Sequence, residues 1–131
     1  MIEEALVTHL RNDVDISNKV KVGSIWHIYP LKLPSGINLD SKGYAIAYEE
    51  IDQRAKYPIM RESLFQFKAF GNTFEKARDL ANDIDESLND LSEIKLGDTF
   101  NVTYIKFVTR RVMFDDTAQL WYYVIEMSLK Y

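Results

Sequence analysis

Cysteine is absent from the 131 residues. That removes disulfides, thiolate metal sites, cysteine nucleophiles and iron–sulfur clusters together, and it fits a reducing compartment. Glycine occurs five times, never as a phosphate-binding loop or dinucleotide fingerprint, and no Gly-x-Ser-x-Gly elbow is present. The two histidines, His9 and His27, stand apart with neither HxH nor HxxxH spacing, so a zinc site would have to be assembled wholly by the fold. The longest apolar run, Leu120 to Ile125, is far short of the ~20 residues of a membrane-spanning helix. The N-terminus carries Glu3 and Glu4 and lacks the basic start and apolar core of a signal peptide. A soluble domain made inside the cell, with no membrane partner, is expected. Nor is there an excess of positive charge. Sixteen Lys and Arg against twenty Asp and Glu give a net charge of -4, which argues against retention on nucleic acid by overall charge and leaves only a local basic patch for that purpose.

What is present suits one globular domain over 1–131. Hydrophobic residues make up 47% and aromatic residues 13%, enough to fill a core and leave rings for a partner surface. Apolar residues at helical spacing over 2–10 predict a short helix, with acids in its first turn matching the helix dipole. The segment from Val14 to Gly23 reads as a polar connection. Ser24 to Pro30 reads as a short strand that proline must end or place on an edge, and Leu31 to Gly43 as a long loop. A strand over 44–51 carries Tyr44, Ile46 and Tyr48 on one face and the small Ala45 and Ala47 on the other, a sign of close packing there. A loop is expected from Asp52 to Glu62, then a strand from Leu64 to Phe70. The clearest element is a helix over 73–91. Asn72 is its expected N-cap, with Glu75 completing a capping box, and Phe74, Ala77, Ala81, Ile84, Leu88 and Leu91 form its apolar stripe. Gly97-Asp98 reads as a turn, Phe100 to Val108 as a strand with a bulge near Tyr104, Asp115 to Thr117 as a hairpin tip, and Leu120 to Tyr131 as the last strand. Grouped strands and few helices give the fold class α+β: an antiparallel β-sheet of about four strands packed by one long helix and a short N-terminal helix.

Chemistry is sparse. The acid pairs Glu49-Glu50, Asp85-Glu86 and Asp115-Asp116 are neighbours in sequence, whereas two-carboxylate hydrolysis needs carboxylates facing each other across a cleft. No catalytic group, metal or cofactor is expected. Interaction candidates are clearer. Asp79, Asp83, Glu86 and Asp90 recur at spacings of four, three and four, forming one acidic ridge on the long helix. Lys76 and Arg78 are too few to neutralise it. The ridge is either a solvated face or a surface turned toward a basic partner or a polyanion. Arg54, Lys56, Tyr57, Ile59, Met60 and Arg61 put three cations among apolar and aromatic residues in one segment, an interface composition. The alternative is a mobile hairpin whose Ile59 and Met60 fold back on the domain. A second class of reading is a nucleic-acid-binding α+β domain that stacks bases on Phe65, Phe67 and Phe107 beside Arg110-Arg111. A third is a small enzyme of ferredoxin-like architecture with a dispersed site, to which nothing in the sequence points.

Taken in order, the opening over 1–10, Val22-Gly23 leading to Ile28-Tyr29-Pro30, Pro34, the strand from Tyr44 to Ile51, Leu64 to Gly71, the helix from Thr73 to Ala81 and the closing run from Arg111 to Tyr123 form a pattern. With it the chain resembles the tail completion (tail terminator) proteins of long-tailed bacteriophages and prophages. The resemblance implies a structural virion protein at the head-proximal end of the tail, not an enzyme. It would form a homo-oligomeric ring, commonly a hexamer, that caps the tail tube protein, ends tail polymerisation and offers a docking face to the head–neck connector protein. DNA would pass through without specific binding. On that reading the 54–61 segment contacts a neighbouring subunit or the tube, and the acidic ridge faces the channel.

Overall fold

The computed structural model describes residues 2–37, 39, 42–57, 60–89, 92–96 and 100–130, with the backbone alone at 2, 52–57, 60, 61, 92–96 and 100–104. Two helices open the chain, α1 (Ile2–Arg11) and α2 (Val14–Val20). The second replaces the expected polar connection. Asp13 caps it by accepting from the N–H groups of Asp15 and Ile16, and Ile16 and Val20, four apart, are both fully buried. A two-stranded ribbon follows, β1 (Lys21–Val22) and β2 (Ile25–Trp26), and then the short β3 (Ile28–Pro30). Pro30 does end an edge strand, as its missing N–H requires.

The remaining strands are β4 (Tyr44–Tyr57), β5 (Met60–Gly71), β6 (Ser92–Leu96), β7 (Phe100–Asp115) and β8 (Leu120–Lys130), with the long helix α3 (Phe74–Leu88) between β5 and β6. Six strands, not four, make one sheet in the order β3-β4-β5-β8-β7-β6. All neighbours are antiparallel except β3 and β4, which run parallel because the 31–43 segment crosses back before β4 begins. Of the expected loop at 52–62, the described residues 52–57 and 60–62 are instead strand: Gln53 stands opposite Ser63, Arg54 opposite Glu62, and Tyr57 opposite Met60. Register shifts fall at Ile51 and Lys56 of β4 and at Val108 of β7, the last lying four residues beyond the position expected at Tyr104. The hairpin tip is where the sequence puts it, with the Asp115 carboxylate accepting from the N–H groups of Thr117 and Ala118 at 3.0 Å.

Helix α3 begins one residue later than its expected cap. Thr73, not Asn72, is the N-cap, its hydroxyl accepting from the Lys76 N–H at 3.2 Å. The helix ends at Leu88 because Asn89 turns extended and its side chain accepts from the Phe107 N–H of β7. The expected helix residues Asp90 and Leu91, and the expected Gly97-Asp98 turn, lie outside the described residues. The buried stripe of α3 is Ala77, Leu80, Ala81, Ile84 and Leu88, with Leu80 an addition to the expected set. Together with Leu6, Leu10 and Ile16 from the first two helices, it packs on Ile46, Phe65, Phe67, Ile125 and Met127 of the sheet. Burying each large apolar side chain here contributes about 1.5–3 kcal/mol. On the opposite face, Leu39 joins Ala45, Ala47, Phe70 and Leu120 in a smaller cluster, with Leu33 and Ile37 packed against it. The long loop therefore folds onto the two alanines, the close packing their size predicts.

Candidate interface surface

The sheet is incompletely covered at both edges. On one side, β3 pairs with β4 only at Ile46–Tyr48; Leu31 adds a last bond to the Tyr48 carbonyl. From Glu49 to Tyr57 the outer side of β4 has no strand partner among the described residues. On the other side, β6 pairs with β7 only between Phe100 and Tyr104. Asn89 then caps the Phe107 N–H, and the outer side of β7 is open from Val108 to Asp115 among the described residues. Long unpaired edges attract further strands unless something covers them. Exposed large apolar side chains gather on these same stretches or next to them: Ile51 on β4, and Phe107, Val108, Val112, Met113 and Phe114 on β7, six of the nine exposed large hydrophobic residues described.

The side chains of β7 divide between the two faces. On the helical face, Arg110 is held by Asn82 of α3 at 2.8 Å and lies 4.6 Å from the Tyr123 ring centroid. Phe114 meets Trp121 at 4.9 Å, and Trp121 meets Phe74 at the start of α3 at 5.7 Å, both edge-on. On the other face the Tyr122 hydroxyl donates to the Met113 sulfur, and Lys68 stands over the Tyr122 ring. Arg111 is exposed beside them. Beyond Tyr122 opens a cleft of about 470 Å³ between residues 32–37 and the 115–118 turn, with Lys32, Lys68 and Asp115 on its walls.

Five of the six residues of the expected 54–61 interface segment sit where β4 and β5 pair at their far ends. Arg54, Lys56, Tyr57, Met60 and Arg61 are brought together by the pairing there; Ile59 lies outside the described residues. The sequence places them in a loop because charged residues interrupt the alternation, whereas the ladder continues through them regardless. The acidic ridge is less uniform than its spacing. Asp79 is exposed, with Arg78 at 3.6 Å, and Glu86 is exposed. Asp83 forms an ion pair with Lys19 of α2, their side chains only 16% and 25% exposed. Burial alone would lower the Lys19 pKa, but the hydrogen bond and charge of Asp83 prevail and raise it. Asp90 lies outside the described residues. Lys19 is 64 residues away in sequence, so no local pattern could have shown that one acid of the row is already neutralised.

The histidines have structural partners. His9 bonds the Ser87 carbonyl at 3.1 Å, joining α1 to α3, and the buried His27 pairs with the Tyr29 hydroxyl at 2.9 Å. Phe65 and Phe67 are fully buried in the core and so cannot offer the base-stacking platform that the nucleic-acid reading requires. Among the described residues no group of three or more His, Asp or Glu is placed to hold a metal ion, and no helix is long and apolar enough to cross a membrane.

No family model matches the chain, and no curated protein matches it. Among solved structures it is similar to a chain from "Virion of native gene transfer agent (GTA) particle", with a TM-score of 0.72 and 15% sequence identity, covering 98% of this chain and 92% of that one. At that identity the likeness is one of fold, and it runs through every element described above.

Proposed function

We propose that this chain is a structural protein of phage-like particles: a homo-oligomeric ring, of about six subunits, that caps the tail tube at its head-proximal end. The ring ends tail polymerisation, and the head–neck connector protein docks on it. The observation that carries the reading is the fold shared, nearly end to end, with a chain of a gene transfer agent virion. The open edges of the sheet support it, since a subunit built into an assembly is where uncovered strand and apolar surface find partners. The 54–61 segment, with Arg54, Lys56, Tyr57, Ile59, Met60 and Arg61, contacts the neighbouring subunit or the tube. Asp79 and Glu86 of α3 face the channel and keep DNA sliding rather than bound; a ring with α3 on its outer wall would remove that part of the proposal.

The test is genetic and visual. The gene is deleted from the particle-producing genome, and the particles are imaged by electron microscopy. Tails of unregulated length, detached from filled heads, are expected, with normal particles restored by the gene in trans. Normal-length tails joined to heads in the deletion would overturn the reading.

A further inference from the structure

Resting on the ring reading, we propose that the cleft between residues 32–37 and the 115–118 turn is the seat of the head-side partner, which enters it with an extended acidic segment. Carboxylates of that segment meet Lys32 and Lys68, and an apolar side chain between them rests on Tyr122.

Both walls of the cleft are fixed. On one side Leu33 and Ile37 pack on the cluster of Ala45, Ala47, Phe70 and Leu120, which holds the 32–37 segment against the sheet. On the other the Asp115 carboxylate accepts from the N–H groups of Thr117 and Ala118, which holds the turn. The floor between them is aromatic, the Phe70 and Tyr122 rings lying 5.0 Å apart. At about 470 Å³ the cleft falls within the roughly 300–1,000 Å³ range of ligand-binding clefts.

Charge decides what enters. The charged side chains on the described walls are Lys32, Lys68 and Asp115. The acid is committed to its own turn, whereas neither lysine forms an ion pair among the described residues. Lys68 is half-buried, with only the Tyr122 ring, 5.8 Å from its Nζ, to answer its charge. A ring face compensates such an ammonium less than a carboxylate does. Arg111 extends the positive strip, for Lys68, Val124 and Arg111 form one row across the sheet. It is exposed and likewise has no ion pair. Nucleic acid is the rival class. The net charge of -4 opposes it, and a phosphate backbone has no use for the Tyr122 floor.

Position decides which partner. Phe70 and Arg61 are nine residues apart on β5, about 30 Å along an antiparallel strand. A subunit that meets the tube through the 54–61 segment therefore carries the cleft at the other end of its sheet. That end is free for the protein that joins the tail to the head.

The test uses the full chain in particle-producing cells. Lys32→Glu and Lys68→Glu are made singly and together. Lys106→Glu, an exposed lysine farther down the same sheet face, controls for charge. Electron microscopy scores tail length and head joining separately, and light scattering gives the mass of each purified variant. The double variant is expected to keep the wild-type oligomer and regulated tails while the fraction of tails joined to heads falls roughly tenfold or more. K106E and the charge-preserving Lys68→Arg should join normally. Second-site suppressors of the double variant are expected to exchange Asp or Glu for Lys or Arg in the partner. Normal joining by the double variant would overturn the cleft assignment and leave the ring reading standing. An equal loss in K106E would overturn it as a general effect of charge. Duplex DNA bound by the wild type and lost by the double variant would give the cleft to phosphate instead. A changed oligomer mass or tail length would put the cleft inside the ring or tube contacts and likewise overturn it. Normal tails in the gene deletion would remove the ring reading itself.

Discussion

Gly71, the last residue of β5, lies tight against the first turn of α3, and replacing it by alanine should loosen the helix. A Cβ there would lie 2.8 Å from the Lys76 Cβ, 2.9 Å from the Lys76 carbonyl carbon, and closer still to the Ala77 backbone nitrogen. These are atoms of the first turn of α3, not the far ends of flexible side chains, so the helix start must move by about 1 Å. Forcing a methyl group into such packing costs about 1–3 kcal/mol. The loss of unfolded-state freedom on going from glycine to alanine returns about 0.4–1 kcal/mol. The balance is roughly 1–2 kcal/mol of destabilisation. For a domain of this size, each kcal/mol corresponds to about 3–5 °C in Tm, so a fall of about 3–10 °C is expected. Far-UV circular dichroism should follow it, with the low-temperature spectrum unchanged. An equal or higher Tm for G71A would refute the close approach of α3 to the end of β5.

The N-cap assignment gives a second contrast. Thr73→Ala should cost about 1 kcal/mol and lower Tm by a few degrees, whereas Asn72→Ala should leave the cap hydrogen bond intact; the reverse order would restore Asn72 as the cap. The Lys19–Asp83 pair sets an alkaline dependence. The folded-state pKa of Lys19 is raised above its ordinary 10.5, so its stabilisation is fully present below that value and is lost as pH rises through the folded pKa. In chemical denaturation, Lys19→Met should therefore be less stable than wild type near neutrality, with the difference shrinking above pH 10.5. A gap constant across that range would contradict the pair. In the 54–61 segment, replacing Tyr57, Met60 and Arg61 together by small residues should abolish tail capping while the thermal transition of the monomer persists. Unimpaired assembly would remove the segment from the interface.

Much of the architecture was legible because it rests on periodicity. The α3 stripe, the α1 face and the alternation of β8 are core patterns that burial enforces wherever the elements sit. The paired alanines at 45 and 47 even announced the covering of the second sheet face. What escaped depended on long-range partners. Val14–Val20 is short and polar, and only two buried residues and the Asp13 cap mark it as a helix. The sequence of residues 52–57 lacks apolar alternation, and their strand shows only in the pairing with β5. The termination of α3 depends on Asn89 reaching Phe107 on a distant strand. The same distinction governs the candidate surface. Composition drew attention to the 54–61 segment and to Arg110-Arg111, but the open edges are properties of strand order. The acidic ridge lost Asp83 to a lysine that helical spacing could not see.

On the proposed function, this chain assembles with itself into a closed ring. Light scattering behind a sizing column, over the widest attainable range of concentration, tests it most directly. The expected result is one discrete species of about six times the 15.3 kDa subunit mass, stable on dilution over a finite range. A mass equal to a single subunit at every concentration, or an unbounded series of growing species, would contradict it.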